Sequence, residues 1–63
     1  MNPSPTLTQA GLEAVYDALA TAIDQAGPDR SELFLVKLAL LNAQALADPA
    51  VFQQHLQAAL LDL

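Results

Sequence analysis

The apolar positions of the chain fall into three stretches with helical spacing. The densest is Leu33–Leu41, a run of large aliphatic residues in which Lys37 is the one charge. An earlier stretch has apolar residues three and four apart, at Leu12, Val15, Tyr16, Leu19, Ala22, Ile23 and Ala26. A later one repeats the spacing at Val51, Phe52, Leu56, Ala59, Leu60 and Leu63. Such spacing places an apolar stripe along one side of a helix, so the sequence predicts three helices.

Two threonines compete to begin the first helix. Thr6 can act as the N-cap, with Gln9 three residues later to complete a capping box. Thr8 is the alternative cap, and the pattern alone does not separate the two. Gly11 is a weak point, because glycine in a helix interior costs up to about 1 kcal/mol relative to alanine.

The breaks between the helices carry clear signals. Gly27–Pro28 predicts the end of the first helix, since glycine accepts a left-handed conformation and proline cannot continue the hydrogen-bond ladder. Asp29 is the predicted cap of the second helix, with Glu32 three residues later in a box-like arrangement. Asp48–Pro49 predicts a new start, with aspartate as the cap and proline at the first helical position.

These signals predict an all-α fold. We expect a flexible N-terminal tail over residues 1–5 and a single helical domain over residues 6–63, with helices at about residues 7–26, 30–47 and 49–62. The short first connection predicts an antiparallel helical hairpin. The third, short helix would complete a small three-helix bundle.

The second helix is apolar around nearly its whole circumference, apart from Glu32, Asn42 and a narrow polar stripe. That stripe comprises Arg30, Lys37, Gln44 and Asp48. The first and third helices each offer a single apolar stripe, too narrow to cover the second helix alone. We therefore predict that dimerisation buries the remainder, with another protein as the alternative partner. The predicted interface comprises Phe34, Val36, Lys37, Leu40 and Leu41.

Composition narrows the function classes. The chain has 63 residues, no cysteine, and a formal net charge of −5. An acidic surface repels phosphate backbones and anionic lipid, so neither nucleic acid nor a membrane is expected as a partner. No signal peptide or membrane-spanning segment is visible, and a cytoplasmic location is expected. The sequence indicates no enzyme activity, cofactor or small-molecule substrate.

The best alternative chemistry is a ligand-binding or metal-binding helical bundle that uses Glu13, Asp17 or His55. Glu13 and Asp17 lie one helical turn apart, a spacing that suits metal-binding carboxylates. Di-metal bundles, however, pair a histidine with a glutamate three residues earlier. Here Phe52 stands in that position before His55. A solvated acidic face and a surface histidine are the simpler interpretation.

Two further hypotheses concern the second helix. An acyl carrier protein has aspartate directly before and leucine directly after its modified serine, and Arg30 and Glu32 flank Ser31 instead. A helix-turn-helix DNA-binding protein needs a basic recognition helix. The second helix has only Arg30 and Lys37, which lie on its polar stripe.

The chain also resembles a family of short bacterial proteins of unknown function. The similarity lies in Leu12–Ala20, Ala22–Asp24, Gly27–Pro28, Glu32–Leu41 and the closing Ala58–Leu63. It covers most of the chain beyond the tail, and the central run is its most specific part. The family has no established active site, so the resemblance transfers no functional residues. Because family members lie beside flavin-dependent aromatic hydroxylases, the resemblance implies a small accessory protein in a catabolic pathway.

Overall fold

The computed structural model describes residues 6–61 and Leu63. It contains three α-helices: α1 (Gln9–Ala26), α2 (Ser31–Leu46) and α3 (Pro49–Leu60). Within those described residues no strand occurs, and the predicted all-α class is confirmed. The helices begin and end within about two residues of the predicted positions. The predicted tail at residues 1–5 and the predicted end at residue 62 lie outside the described residues.

The chain divides into two compact units, the first ending at Ser31 and the second beginning at Glu32. The first unit holds α1 and the turn that follows it. The second holds nearly all of α2, the short connection after it, and α3. The antiparallel pairing of the first two helices and the dimer stay predictions.

Thr8, and not Thr6, caps the start of α1. The Thr8 hydroxyl oxygen accepts a hydrogen bond from the backbone N–H of Gly11 at 3.0 Å. Gly11 is the third residue of the helix and so lies in its first turn. A Cβ at that position would lie 3.2 Å from the capping oxygen, which is closer than ordinary contact. The glycine therefore leaves room for the cap. Of the two caps that the sequence left open, the structure has Thr8 and not the capping box of Thr6 and Gln9.

Gly27 ends α1, as the sequence predicts. Its backbone N–H donates to the carbonyl oxygen of Ile23 at 3.0 Å, which closes the last turn. Its φ of 83° and ψ of 161° fall in a region that is essentially reserved for glycine. The chain then turns through Pro28–Arg30 into the second helix.

The start of α2 differs from the prediction. Arg30, and not Asp29, directly precedes the helix, so the expected aspartate cap is wrong. The Ser31 hydroxyl donates to the carbonyl oxygen of Gly27 at 2.8 Å, and the Arg30 N–H donates to the same oxygen at 3.1 Å. Glu32 lies in the first turn of α2. A carboxylate there favours the helix because it faces the positive end of the macrodipole.

The connection between α2 and α3 is only two residues long. Ala47 has a φ of 60°, and its N–H donates to the carbonyl oxygen of Ala43 at 2.9 Å. Asp48 then caps α3: its Oδ1 accepts from the backbone N–H groups of Ala50 at 3.0 Å and Val51 at 3.3 Å. Pro49 occupies the first helical position. The predicted break and restart at Asp48–Pro49 is confirmed.

Candidate functional site

Large apolar side chains stay exposed throughout the described part of the chain, and no side chain there is fully buried. The exposed ones are Leu7, Leu12, Val15, Tyr16, Leu33, Leu35, Val36, Leu40, Leu41, Leu46, Leu56, Leu60, Leu61 and Leu63. Single exposed leucines are ordinary on protein surfaces, but a contiguous set marks a site of interaction. A cluster of such residues therefore indicates the candidate site.

They cluster on α2. Six of the fourteen lie on this helix, although it holds only 16 residues. Its remaining large apolar residues, Phe34 and Leu38, are half-buried. The exposed large apolar residues of the described chain are therefore concentrated on α2.

One line of side chains on α2 forms a continuous apolar strip. Leu33 is 58% exposed, Val36 is 50% exposed and Leu40 is 63% exposed. Ala43 continues the line and is half-buried. Their spacing of three, four and three residues is that of the core positions of a coiled coil. We call these four residues the α2 strip, and they form the candidate association surface.

Charged and polar side chains flank this strip. Lys37 and Gln44 lie along one edge, and together with Leu40 and Leu41 they line a shallow depression. Glu32 lies on the other edge, one position before Leu33. Polar residues at the rim of an apolar strip are typical of surfaces at which helices associate.

The strip also leads into a groove within the second unit. The groove is lined by Leu40, Ala43, Gln44, Ala47, Asp48, Pro49, Phe52 and Gln53. Its apolar lining comes from the end of α2 and the start of α3, and Phe52 is half-buried there. The tight connection at Ala47 and Asp48 brings these two helix ends together. The candidate surface therefore extends beyond α2 onto Phe52.

The predicted interface residues do not all share one face of α2. Val36 and Leu40 belong to the α2 strip and Lys37 lies on its edge. Leu41 is 65% exposed but lies about 100° around the helix from Leu40. Phe34 is half-buried and lies about 160° from Val36. A single straight partner helix cannot contact all five, so the predicted set is broader than the α2 strip.

Two strip residues, Leu33 and Ala43, are absent from the predicted interface, and Leu33 is the more exposed of the two. Leu33 sits at the start of the apolar run, three residues before Val36 and seven before Leu40. The spacing itself could have identified it, because coiled-coil positions recur every seven residues.

The residues of the alternative site are placed differently. Leu12, Glu13, Tyr16 and Asp17 line one shallow depression on α1, so the two carboxylates share a face as predicted. His55 is exposed on α3. Across residues 6–61 and Leu63, no group of three or more histidine, cysteine, aspartate or glutamate side chains is arranged to hold a metal ion.

Three side chains at the helix starts have structural partners. Thr8 and Asp48 accept hydrogen bonds from backbone N–H groups, and Ser31 donates to a backbone carbonyl. Each satisfies a backbone group at a helix end or turn that has no partner within its own helix. Their positions are explained by helix formation.

Comparison with known proteins adds no family assignment. No protein-family model matches the chain, and no curated protein or solved structure matches it significantly. In the part of the chain that the structure describes, no helix is both long enough and apolar enough to cross a membrane.

Proposed function

We propose that this chain is a non-enzymatic interaction protein that associates through the exposed apolar face of α2, and that its first partner is a second copy of itself. The observation that carries the proposal is the α2 strip, in which Leu33, Val36 and Leu40 are each at least half exposed. Association covers such a strip with the matching strip of another helix.

The free energy gained by burying these side chains favours association of two copies. Burying a fully exposed leucine contributes about 1.5–3 kcal/mol, so a leucine that is 63% exposed retains roughly 1–2 kcal/mol of unused burial. Three such residues in each of two copies therefore offer about 5–10 kcal/mol before the cost of association is subtracted. That cost is at least about 4 kcal/mol. At most about 6 kcal/mol then remains, which corresponds to a dissociation constant of tens of micromolar, and the proposal takes this value.

Association also compensates for the absence of a fully buried core among residues 6–61 and Leu63. A domain of this size is marginal as a monomer, and small folds without disulfides often rely on oligomerisation. The chain contains no cysteine, and its described side chains include none that is fully buried. Folding and association are therefore coupled in this proposal, and the helical content rises with protein concentration.

A dilution series tests the coupling directly. Far-ultraviolet circular dichroism is recorded during thermal unfolding at protein concentrations that span about two orders of magnitude. The proposal predicts a midpoint that rises with concentration. A midpoint that is independent of concentration, together with a monomeric mass by light scattering, contradicts self-association.

The family resemblance supplies a biological context for the same surface. We propose that the dimer serves as an accessory protein to a bacterial flavin-dependent enzyme of aromatic catabolism. Affinity purification of the tagged chain from its native host, with mass spectrometry to detect a flavin-dependent hydroxylase, tests this role, with Leu40→Glu as the control. Co-purification with the wild type that the variant loses supports the accessory role, and failure of both to co-purify contradicts it.

A further inference from the structure

The edges of the α2 strip carry opposite charges. In coiled-coil notation Leu33 and Leu40 occupy a positions, and Val36 and Ala43 occupy d positions. Glu32 then occupies a g position, and Lys37 occupies the following e position. Both side chains are exposed. In paired helices, residues at e and g positions meet across the interface and determine how the two helices are oriented.

Glu32 and Lys37 do not neutralise each other within one helix. They are five residues apart, which places them about 140° apart around the helix axis. Side chains that pair along a helix are three or four residues apart. Each charge is therefore open to a partner on a second helix.

The parallel and antiparallel orientations of two α2 helices place these charges beside different partners. In a parallel, in-register pair, the g position of one helix faces the next e position of the other, so Glu32 meets Lys37 of the second copy. The two-fold axis produces this contact twice. In an antiparallel pair that aligns Leu33 with Ala43 of the second copy, e positions face e positions. Lys37 then lies opposite Lys37, and the like charges repel.

We propose that two copies of α2 pair in parallel and in register, with Glu32 of each copy beside Lys37 of the other. This inference rests on the proposed self-association and adds its geometry. Leu33, Val36 and Leu40 each meet their own counterpart across the two-fold axis. Lys37, the one charge in the apolar run, acts as the residue that selects the orientation.

Charge substitutions test the pairing. Lys37→Gln and Glu32→Gln each remove two attractive contacts, and each is expected to weaken the dimer roughly two- to five-fold in sedimentation equilibrium. Lys37→Glu or Glu32→Lys alone should weaken it roughly five- to thirty-fold, and the double exchange Glu32→Lys/Lys37→Glu should restore wild-type affinity within about three-fold. Arg30→Gln is the matched control, because it alters the net charge as Lys37→Gln does but precedes the helix. It should leave the affinity within about two-fold.

Disulfide cross-linking determines the orientation of the two helices without relying on the charge substitutions. The chain has no cysteine, so Leu33→Cys introduces a single thiol per copy. In the parallel pair the two Cα atoms lie within the roughly 4.4–6.8 Å that a disulfide requires, and the oxidised variant forms a covalent dimer. In the antiparallel pair they lie about 15 Å apart along the axis, and a disulfide forms only with an Ala43→Cys chain.

The outcomes separate the two proposals. A dimer that tightens with Lys37→Gln and cross-links only between Leu33→Cys and Ala43→Cys overturns the parallel geometry and leaves self-association standing. A wild-type chain that stays monomeric in the same sedimentation runs overturns both. Two results are expected. The Glu32→Lys/Lys37→Glu variant dimerises about as tightly as the wild type, and the oxidised Leu33→Cys variant forms a covalent dimer.

Discussion

The hydroxyl of Ser31 donates a hydrogen bond to the carbonyl oxygen of Gly27, 2.8 Å away. The bond spans the turn between α1 and α2, where the N–H of Arg30 donates to the same carbonyl at 3.1 Å. The Gly27 carbonyl oxygen therefore accepts two hydrogen bonds, at a residue whose φ is positive. Ser31, the residue that the carrier-protein hypothesis would modify, instead stabilises the turn through this hydrogen bond.

Removing the Ser31 hydroxyl should loosen this turn. Ser31→Ala is expected to lower the free energy of unfolding by about 0.5–1.5 kcal/mol, the usual contribution of one hydrogen bond. Ser31→Thr keeps a hydroxyl and should retain part of the stability. Urea denaturation at a fixed chain concentration measures both variants. Mass spectrometry of protein from the native host should give the unmodified mass, and a phosphopantetheine increment on Ser31 would revive the carrier hypothesis.

Gly27 and Ala47 form a matched pair of positive-φ positions. Gly27→Ala should cost about 1–3 kcal/mol, because its φ and ψ lie in a region that residues with a Cβ avoid. No neighbouring atom lies within 4 Å of the new Cβ, so the cost is torsional and not a clash. Ala47→Gly is expected to have the opposite sign and to stabilise the chain by up to about 1 kcal/mol, since it relieves a left-handed alanine.

Thermal and urea unfolding, run at one chain concentration, compare the stability of each variant with that of the wild type. If Gly27→Ala were as stable as the wild type, the backbone described for this turn would be wrong. Equal effects of the same sign from both substitutions would also contradict it.

The cap of α3 predicts a side-chain-specific loss. Asp48 Oδ1 accepts from two backbone N–H groups, so Asp48→Ala should destabilise the protein by about 0.5–2 kcal/mol. Asp48→Asn retains a capping oxygen and should recover most of that loss. Helical content by circular dichroism and the denaturation midpoint should change together. If Asp48→Ala left the helical content and the denaturation midpoint unchanged, the start of α3 would not depend on this cap.

Metal binding is the prediction that distinguishes the alternative function. Glu13 and Asp17 share a depression on α1, but among residues 6–61 and Leu63 no third ligand joins them, and two carboxylates alone make a weak site. Calorimetric titration with Mg²⁺ or Zn²⁺ is expected to give no saturable heat at micromolar protein. Saturable binding that Glu13→Gln/Asp17→Asn abolishes would favour the ligand-binding bundle over the interaction protein.

The sequence predicted the helices well because their signals are local. The apolar spacing, Gly27–Pro28 and Asp48–Pro49 act within a few residues, and each appears in the structure as expected. The cap of α1 was ambiguous because Thr6 and Thr8 precede the same apolar run. The structure decides between them through a local contact, because the Thr8 hydroxyl oxygen accepts a hydrogen bond from the N–H of Gly11.

The candidate surface was predicted only in part. Val36 and Leu40 could be identified from the apolar run, but composition does not reveal which side of a helix that is apolar around most of its circumference stays exposed. The structure separates them from the half-buried Phe34 and adds Leu33. Partners are harder still, because a helix of this composition fits many apolar surfaces. The charges of Glu32 and Lys37 are what make the proposed geometry specific.

Sedimentation equilibrium of the wild type beside two leucine variants tests the central claim most directly. Leu40 and Leu60 are 63% and 61% exposed, so Leu40→Glu and Leu60→Glu change equally accessible leucines on α2 and α3. The account predicts a dimeric wild type, a Leu60→Glu variant with similar affinity, and at least roughly 30-fold weaker association for Leu40→Glu. A wild type that remains monomeric at high micromolar concentration, or a Leu40→Glu variant that dimerises as tightly as Leu60→Glu, would contradict it.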